Sequence, residues 1–216
     1  MHHPPPLPNV IKRQISPALL AANKKEALAK LDFVRKSYPR AHMHIDATDG
    51  KFVPSHFWCK PTNIGKLGFP HTFEAHLMTY HPEKRVAAWK RAGASRIVFH
   101  FEATENPLRV IDTIKKHRLE AGVALNLETA PRQIELLLER LDSILFMAIE
   151  PGFAGMPFHP EVIPKIAFFH KKYPKKFIIV DGGVSLQNAE KLLKAGARQL
   201  VSTTLVYGKN FGTKNQ

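Results

Sequence analysis

Short runs of β-branched and apolar residues alternate along this chain with longer stretches in which apolar positions recur every three or four residues, the separate periods of strands and amphipathic helices. The strand-like runs fall at 10–15, 41–46, 72–77, 96–100, 121–125, 143–148, 176–180 and 199–202. Helical patterns occupy 24–37, 82–92, 107–117, 131–140, 160–172 and 186–195, and the stretch after Val53 is less regular. Pro82, Pro107, Pro131 and Pro160 open helices at the turn where a missing N–H costs little, and Ala-Gly-Ala at 92–94 and at 195–197 closes two of them. Strands alternating with helices, with no linker and no change of composition, leave an open doubly wound sheet or a closed barrel. A dinucleotide-binding sheet needs a glycine-rich turn after its first strand, and Ser16-Pro17-Ala18-Leu19 stands there instead. The pattern therefore predicts an α/β protein, a single (β/α)8 TIM barrel over 10–216, preceded by an extended arm over 1–9 that carries four prolines.

Composition narrows the function. The chain has 216 residues, 44% hydrophobic and 23% charged, enough for one large core. No apolar run approaches the roughly 18 residues of a membrane span, and the first ten residues have neither the cationic start nor the apolar middle of a signal peptide. Cys59 is the only cysteine, so an intrachain disulfide is impossible and a cytoplasmic location is expected. The formal charge of +14 suits an anionic partner. Its lysines and arginines are scattered in pairs on helix patterns, as on solvated faces, so neither a nucleic-acid nor a membrane partner is expected.

Chemistry in such a barrel sits at the C-terminal ends of the strands. Those ends carry Ser16, His44 with Asp46, His76, His100 with Glu102, Asn126, Met147 before Glu150, Asp181, and Ser202 to Thr204. His44 and Asp46 are two apart and share one face of their strand. With His76 and Asp181 they can converge on one divalent cation, for which zinc, iron, manganese or cobalt would fit. The alternative is that His44 and Asp46 pair with each other while His76 and Asp181 serve elsewhere. Pro151-Gly152-Phe153-Ala154-Gly155 and Asp181-Gly182-Gly183 follow the sixth and seventh strands, where backbone N–H groups commonly seat a phosphate; equally, the glycines serve tight turns.

Taken in order, these segments resemble the ribulose-phosphate 3-epimerase family from Ile15 to about Gly208. The likeness is carried by Ile15-Ser16-Pro17, His44-Ile45-Asp46, Asp49-Gly50-Lys51-Phe52-Val53-Pro54, Ala75-His76-Leu77-Met78, His100-Phe101-Glu102-Ala103, Glu150 to Gly155, and Val180-Asp181-Gly182-Gly183-Val184. The resemblance implies a barrel of the ribulose-phosphate-binding type, with one divalent metal held by His44, Asp46, His76 and Asp181. Asp46 and Asp181 are then also the acid/base pair, one on each face of a small phosphorylated ketose. Ser16, His76, Met78, Met147, Gly152, Phe153, Ala154, Gly155, Gly182, Gly183, Thr203 and Thr204 become substrate contacts, and a homo-oligomer is implied.

The chain departs from the family pattern at Thr48, where a methionine is usual, and at Thr203-Thr204, which replace a Gly-Ser pair. Met156 stands in the place of a glutamine, and the stretch from Ser55 to Lys60 is atypical. Thr48 predicts a more polar site, and Thr203 a changed phosphate end. The leading expectation is 3-epimerisation of ribulose 5-phosphate through an enediolate. The competing readings are a hexulose-6-phosphate 3-epimerase and a non-catalytic barrel with an altered phosphate site.

Overall fold

The structure, a computed structural model, describes residues 7–69, 71–153 and 155–208. Eight parallel strands close into a barrel in chain order, each paired with its sequence neighbours and the last with the first. They are β1 Ile15–Leu19, β2 Met43–Thr48, β3 Phe73–Met78, β4 Arg96–His100, β5 Glu120–Leu125, β6 Ser143–Met147, β7 Phe177–Asp181 and β8 Gln199–Ser202. The helices are α1 Asn9–Gln14, α2 Lys24–Ser37, α3 Pro61–Ile64, α4 Val86–Ala92, α5 Pro107–Lys116, α6 Val162–Lys172, α7 Leu186–Lys194 and α8 Thr204–Tyr207. This is the expected TIM barrel. Among the described residues no helix is long and apolar enough to cross a membrane.

Because successive strand residues point to opposite faces, each strand divides between two cores. Ile45, Ala75, Leu77, Ile97, Phe99, Val123, Phe146 and Val180 belong to the large layer shared with the helices. Ala18, Val98, Ala124, Leu145, Ile179 and Val201 fill the barrel interior. The second set is mostly small or β-branched, which leaves room beneath the mouth for polar groups.

The first predicted strand is corrected. Residues 9–14 form α1, whose basic last turn, Lys12 and Arg13, favours its C-terminal end, while Ile11 alone is buried. The strand is the next segment, Ile15–Leu19, and Pro17 hid it. Proline has no N–H for a ladder, yet Pro17 sits where pairing passes from β8, partnered through residues 15–17, to β2, partnered through Ala18 and Leu19. The expected arm over 1–9 lies largely outside the described residues, and α1 begins at Asn9. Two predicted helices also differ. Pro131–Arg140 is a 3-10 helix, in which the three-residue spacing of buried Ile134 and Leu137 keeps both inward. The 82–92 stretch divides into a 3-10 turn, Pro82–Lys84, and α4, behind His81 in the left-handed region at φ 53°.

Candidate metal centre

β7 runs one residue further toward the mouth than the hydrophobic pattern suggests, so Asp181, like Asp46 and His76, is a strand residue held by ladders rather than by loops. Asp46 is in register with His76 across the β2/β3 pair. His44 projects Nε2 and His76 projects Nδ1 toward the same point, 3.2 Å apart. Asp46 Oδ1 lies 3.2 Å from His44 Nε2 and 2.9 Å from His76 Nδ1, and Asp181 Oδ2 lies 3.6 Å from each of those nitrogens. All four donor atoms fall within 4.8 Å of one another. A tetrahedral centre with bonds of about 2.1 Å separates its ligand atoms by about 3.4 Å, and the observed spacings bracket that value. The donor set therefore fits a divalent metal. His44 and Asp46 do touch each other, but His76 and Asp181 converge with them rather than serving elsewhere.

The two carboxyls have opposite proton affinities. Burial alone raises Asp46, but the charge of His44 and the hydrogen bonds of His44 and His76 outweigh it and hold the carboxyl well below the usual range. Burial, reinforced by Asp46 and Glu74 and opposed by His44, pushes Asp181 up to about 7. Below about pH 7 the metal-free centre thus holds one ionised carboxylate beside one that retains a proton.

Beneath the centre lies a polar floor that pattern reading missed. Glu74 is fully buried and accepts from three sides: His44 Nδ1 at 2.7 Å, Arg96 Nη1 at 2.9 Å and Gln199 Nε2 at 2.6 Å. Arg96 also donates to the outer carboxylate of Glu120 at 2.8 Å. A carboxylate behind a metal-binding imidazole fixes its tautomer and raises its basicity. The sequence held one signal: Glu74 is two residues before His76 and so shares its inward face.

Above the centre is a cavity bordered by Asp46 and Asp181. Its apolar wall includes Leu20, Phe57, Met78, Met147 and Ile149. Gly152, Phe153 and Gly155 line it from the loop after β6, and Gly182, Gly183, Thr203 and Thr204 from the loops after β7 and β8. Gly182 has φ 103°, and a Cβ there would lie 2.3 Å from Ile149, so only glycine lets that turn lie against the β6 loop. Of the expected substrate contacts, Ser16 and His76 do not line this cavity; the Ser16 hydroxyl donates to the His42 carbonyl at 2.5 Å. Ala154 lies outside the described residues.

The polarity expected from Thr48 does not arise. Its hydroxyl accepts the Phe57 N–H at 3.3 Å, and the loop so anchored brings the Phe57 ring to the cavity. Asp49 fastens the same loop, accepting from Lys51 and Phe52 N–H at 2.9 Å and from Tyr80 N–H, beyond β3, at 3.0 Å. Ser55 ties it across the mouth to the Gly152 carbonyl.

Fold and centre together define a TIM-barrel protein with the donor set for a single divalent metal at its catalytic face. Similarity to known proteins gives the particular lineage. The chain belongs to the ribulose-phosphate 3-epimerase family, whose model matches residues 14–207, and with it to the epimerases among the isomerases. It is 34% identical over 206 residues to the ribulose-phosphate 3-epimerase of Schizosaccharomyces pombe, covering 92% of this chain and 88% of that one. The Bacillus subtilis ribulose-phosphate 3-epimerase is 34% identical over 209 residues, covering 91% and 93% respectively. The chloroplastic ribulose-5-phosphate-3-epimerase of Arabidopsis thaliana is 36% identical over 206 residues, covering 90% and 71%. Among solved structures, a mutant tryptophan synthase alpha-subunit from Pyrococcus furiosus superposes with a TM-score of 0.65 at 14% identity, covering 93% of this chain and 92% of that one; this likeness concerns the fold alone.

Proposed function

We propose that this chain interconverts ribulose 5-phosphate and xylulose 5-phosphate, with Asp46 and Asp181 exchanging the C3 proton from opposite faces of the ketose. The observation that carries the reading is the pair of carboxyls on β2 and β7, side by side in one donor cluster yet with opposed proton affinities. His44, Asp46, His76 and Asp181 would hold the metal, which when bound would supply stabilisation of the negative charge that spreads over the ketose oxygens. Asp46, ionised, takes the C3 proton. Asp181, protonated, delivers its own to the opposite face, and inversion follows. In the reverse direction the two exchange roles. Met78, Met147, Ile149 and Phe57 keep water from the carbanionic carbon, and the glycine turns after β6 and β7 offer backbone N–H groups to the phosphate, joined by the hydroxyl of Thr204.

A coupled assay for xylulose 5-phosphate on metal-supplemented protein tests the reading. Asp46→Asn and Asp181→Asn are each expected to lower turnover by at least about 10²- to 10⁴-fold, the range for loss of a proton carrier. Retained activity in either variant overturns the two-carboxylate scheme. In D2O, two-base transfer places solvent deuterium at C3 of the product and leaves recovered substrate unlabelled. The metal's identity among zinc, iron, manganese and cobalt belongs to the same proposal, as does assembly into a homo-oligomer; metal analysis and sedimentation measure them. A cytoplasmic location is supported by the single buried thiol of Cys59.

A further inference from the structure

Behind the metal centre, His100 closes β4, fully buried, its ring meeting that of His76 edge to edge, with centroids 4.9 Å apart and planes at 23°. The two Nε2 atoms lie 2.9 Å from each other, so one hydrogen bond joins them and a single proton serves both. Three buried atoms beside this pair indicate where that proton resides. His100 Nδ1, Glu102 Oε2 and Asn126 Oδ1 each lack a hydrogen bond of ordinary length, and the first two are 3.5 Å apart. A proton on His100 Nδ1 supplies the donor these oxygens lack. A neutral His100 then has a bare Nε2, which must accept, so the shared proton belongs to His76 Nε2. The lone pair of His76 is thereby left on Nδ1, the atom that faces Asp46 and Asp181. Glu102 is itself fixed, accepting the Asn126 N–H at 2.9 Å and the Thr129 hydroxyl. Phe52 covers His100 from the loop after β2, with ring centroids 4.9 Å apart.

We propose that His100, oriented by Glu102, is a positioning residue that holds His76 in the one tautomer able to bind a metal through Nδ1. The two metal-facing imidazoles are thus secured differently: His44 by the carboxylate of Glu74, His76 by a neutral ring whose Nε2 accepts from it. This rests on the reading that the four donors hold a metal, and the test separates the two. Metal-free wild type, His100→Leu, His100→Gln and Glu102→Gln are titrated with Co2+ against a chromophoric chelator, while the visible spectrum of bound Co2+ and the melting temperature of each metal-free protein are recorded. Outer-sphere partners of this kind change metal affinity by about 10- to 100-fold, and His100→Leu is expected to lose that much. His100→Gln, whose amide oxygen can accept from His76 Nε2, is expected to recover most of it, and Glu102→Gln to lose severalfold. Wild type that binds no Co2+ overturns the ligand set itself. Wild type that binds while His100→Leu matches it in affinity and spectrum overturns the role of His100 alone. Equal losses in His100→Leu and His100→Gln that follow the fall in metal-free melting temperature assign His100 to packing and also overturn it.

Discussion

Replacing Glu74 with glutamine preserves the shape of the barrel floor while removing its charge, and the cost can be worked from the structure in two ways. The carboxylate is fully buried among His44, Arg96 and Gln199, all of which donate to it. The glutamine side chain replaces one acceptor oxygen with an NH2, so one donor must face another. Burial raises the Glu74 pKa, but His44 and Arg96 outweigh it and hold the group at about 2 against an ordinary 4.5. At about 1.4 kcal/mol per tenfold change in proton affinity, that difference corresponds to about 3 kcal/mol. Breaking a buried ion pair from one side costs about 3–5 kcal/mol by analogy with other proteins, which agrees. At roughly 2–4 °C per kcal/mol for a domain of this size, the metal-free variant should melt roughly 6–12 °C below wild type at pH 7. Because the folded-state pKa is depressed, the contribution of Glu74 is complete above pH 4.5 and is lost as pH falls toward 2, so the gap between the two proteins should narrow over that window. Circular-dichroism melts across pH measure this. A variant within about 2 °C of wild type at pH 7, or a gap unchanged at low pH, refutes the reasoning.

The two-carboxylate scheme needs one proton on the pair, and Asp181, with a pKa of about 7 in the metal-free protein, is the group that carries it. Turnover in both directions should therefore fall as rising pH removes that proton; a kcat that stays flat from about pH 6 to about pH 10 would contradict the assignment. Thr203→Gly removes a β-branched side chain from the phosphate end of the cavity, where the backbone is helical at φ −85° and ψ −47° and glycine is tolerated. It should lower the KM for ribulose 5-phosphate severalfold with little change in kcat, and a raised KM would show that the threonine itself contributes to binding.

The parts of the fold and site that sequence reading captured are those governed by local periodicity. Strand alternation placed His44 with Asp46, and the order of polar residues at strand ends supplied His76 and Asp181, because each depends only on which way a strand residue points. Pro17 concealed β1 because its tolerance depends on the strands on either side, which a linear reading does not contain. Gln199 was beyond reach for the same reason, since its amide matters only once β8 stands opposite β3. Thr48 misled in another way. A threonine in place of the usual methionine predicts a more polar site, whereas the loop fold turns its hydroxyl onto the Phe57 N–H and brings Phe57 to the mouth. His100 and Glu102 were visible as strand-end polar groups, but their link to His76 depends on the stacking of neighbouring strands.

The bond between Gln199 and Glu74 joins positions 125 residues apart, and this sets a timetable for the nascent chain. During synthesis His44, Asp46 and His76 emerge early, while Asp181 and Gln199 arrive with the last two strands. An unfinished polypeptide therefore offers an incoming ion three donors of four, with His44 incompletely braced from below. If the four donors hold a metal as proposed, its tight capture waits until the ring is shut, and a chain truncated before β7 should leave the ribosome without it.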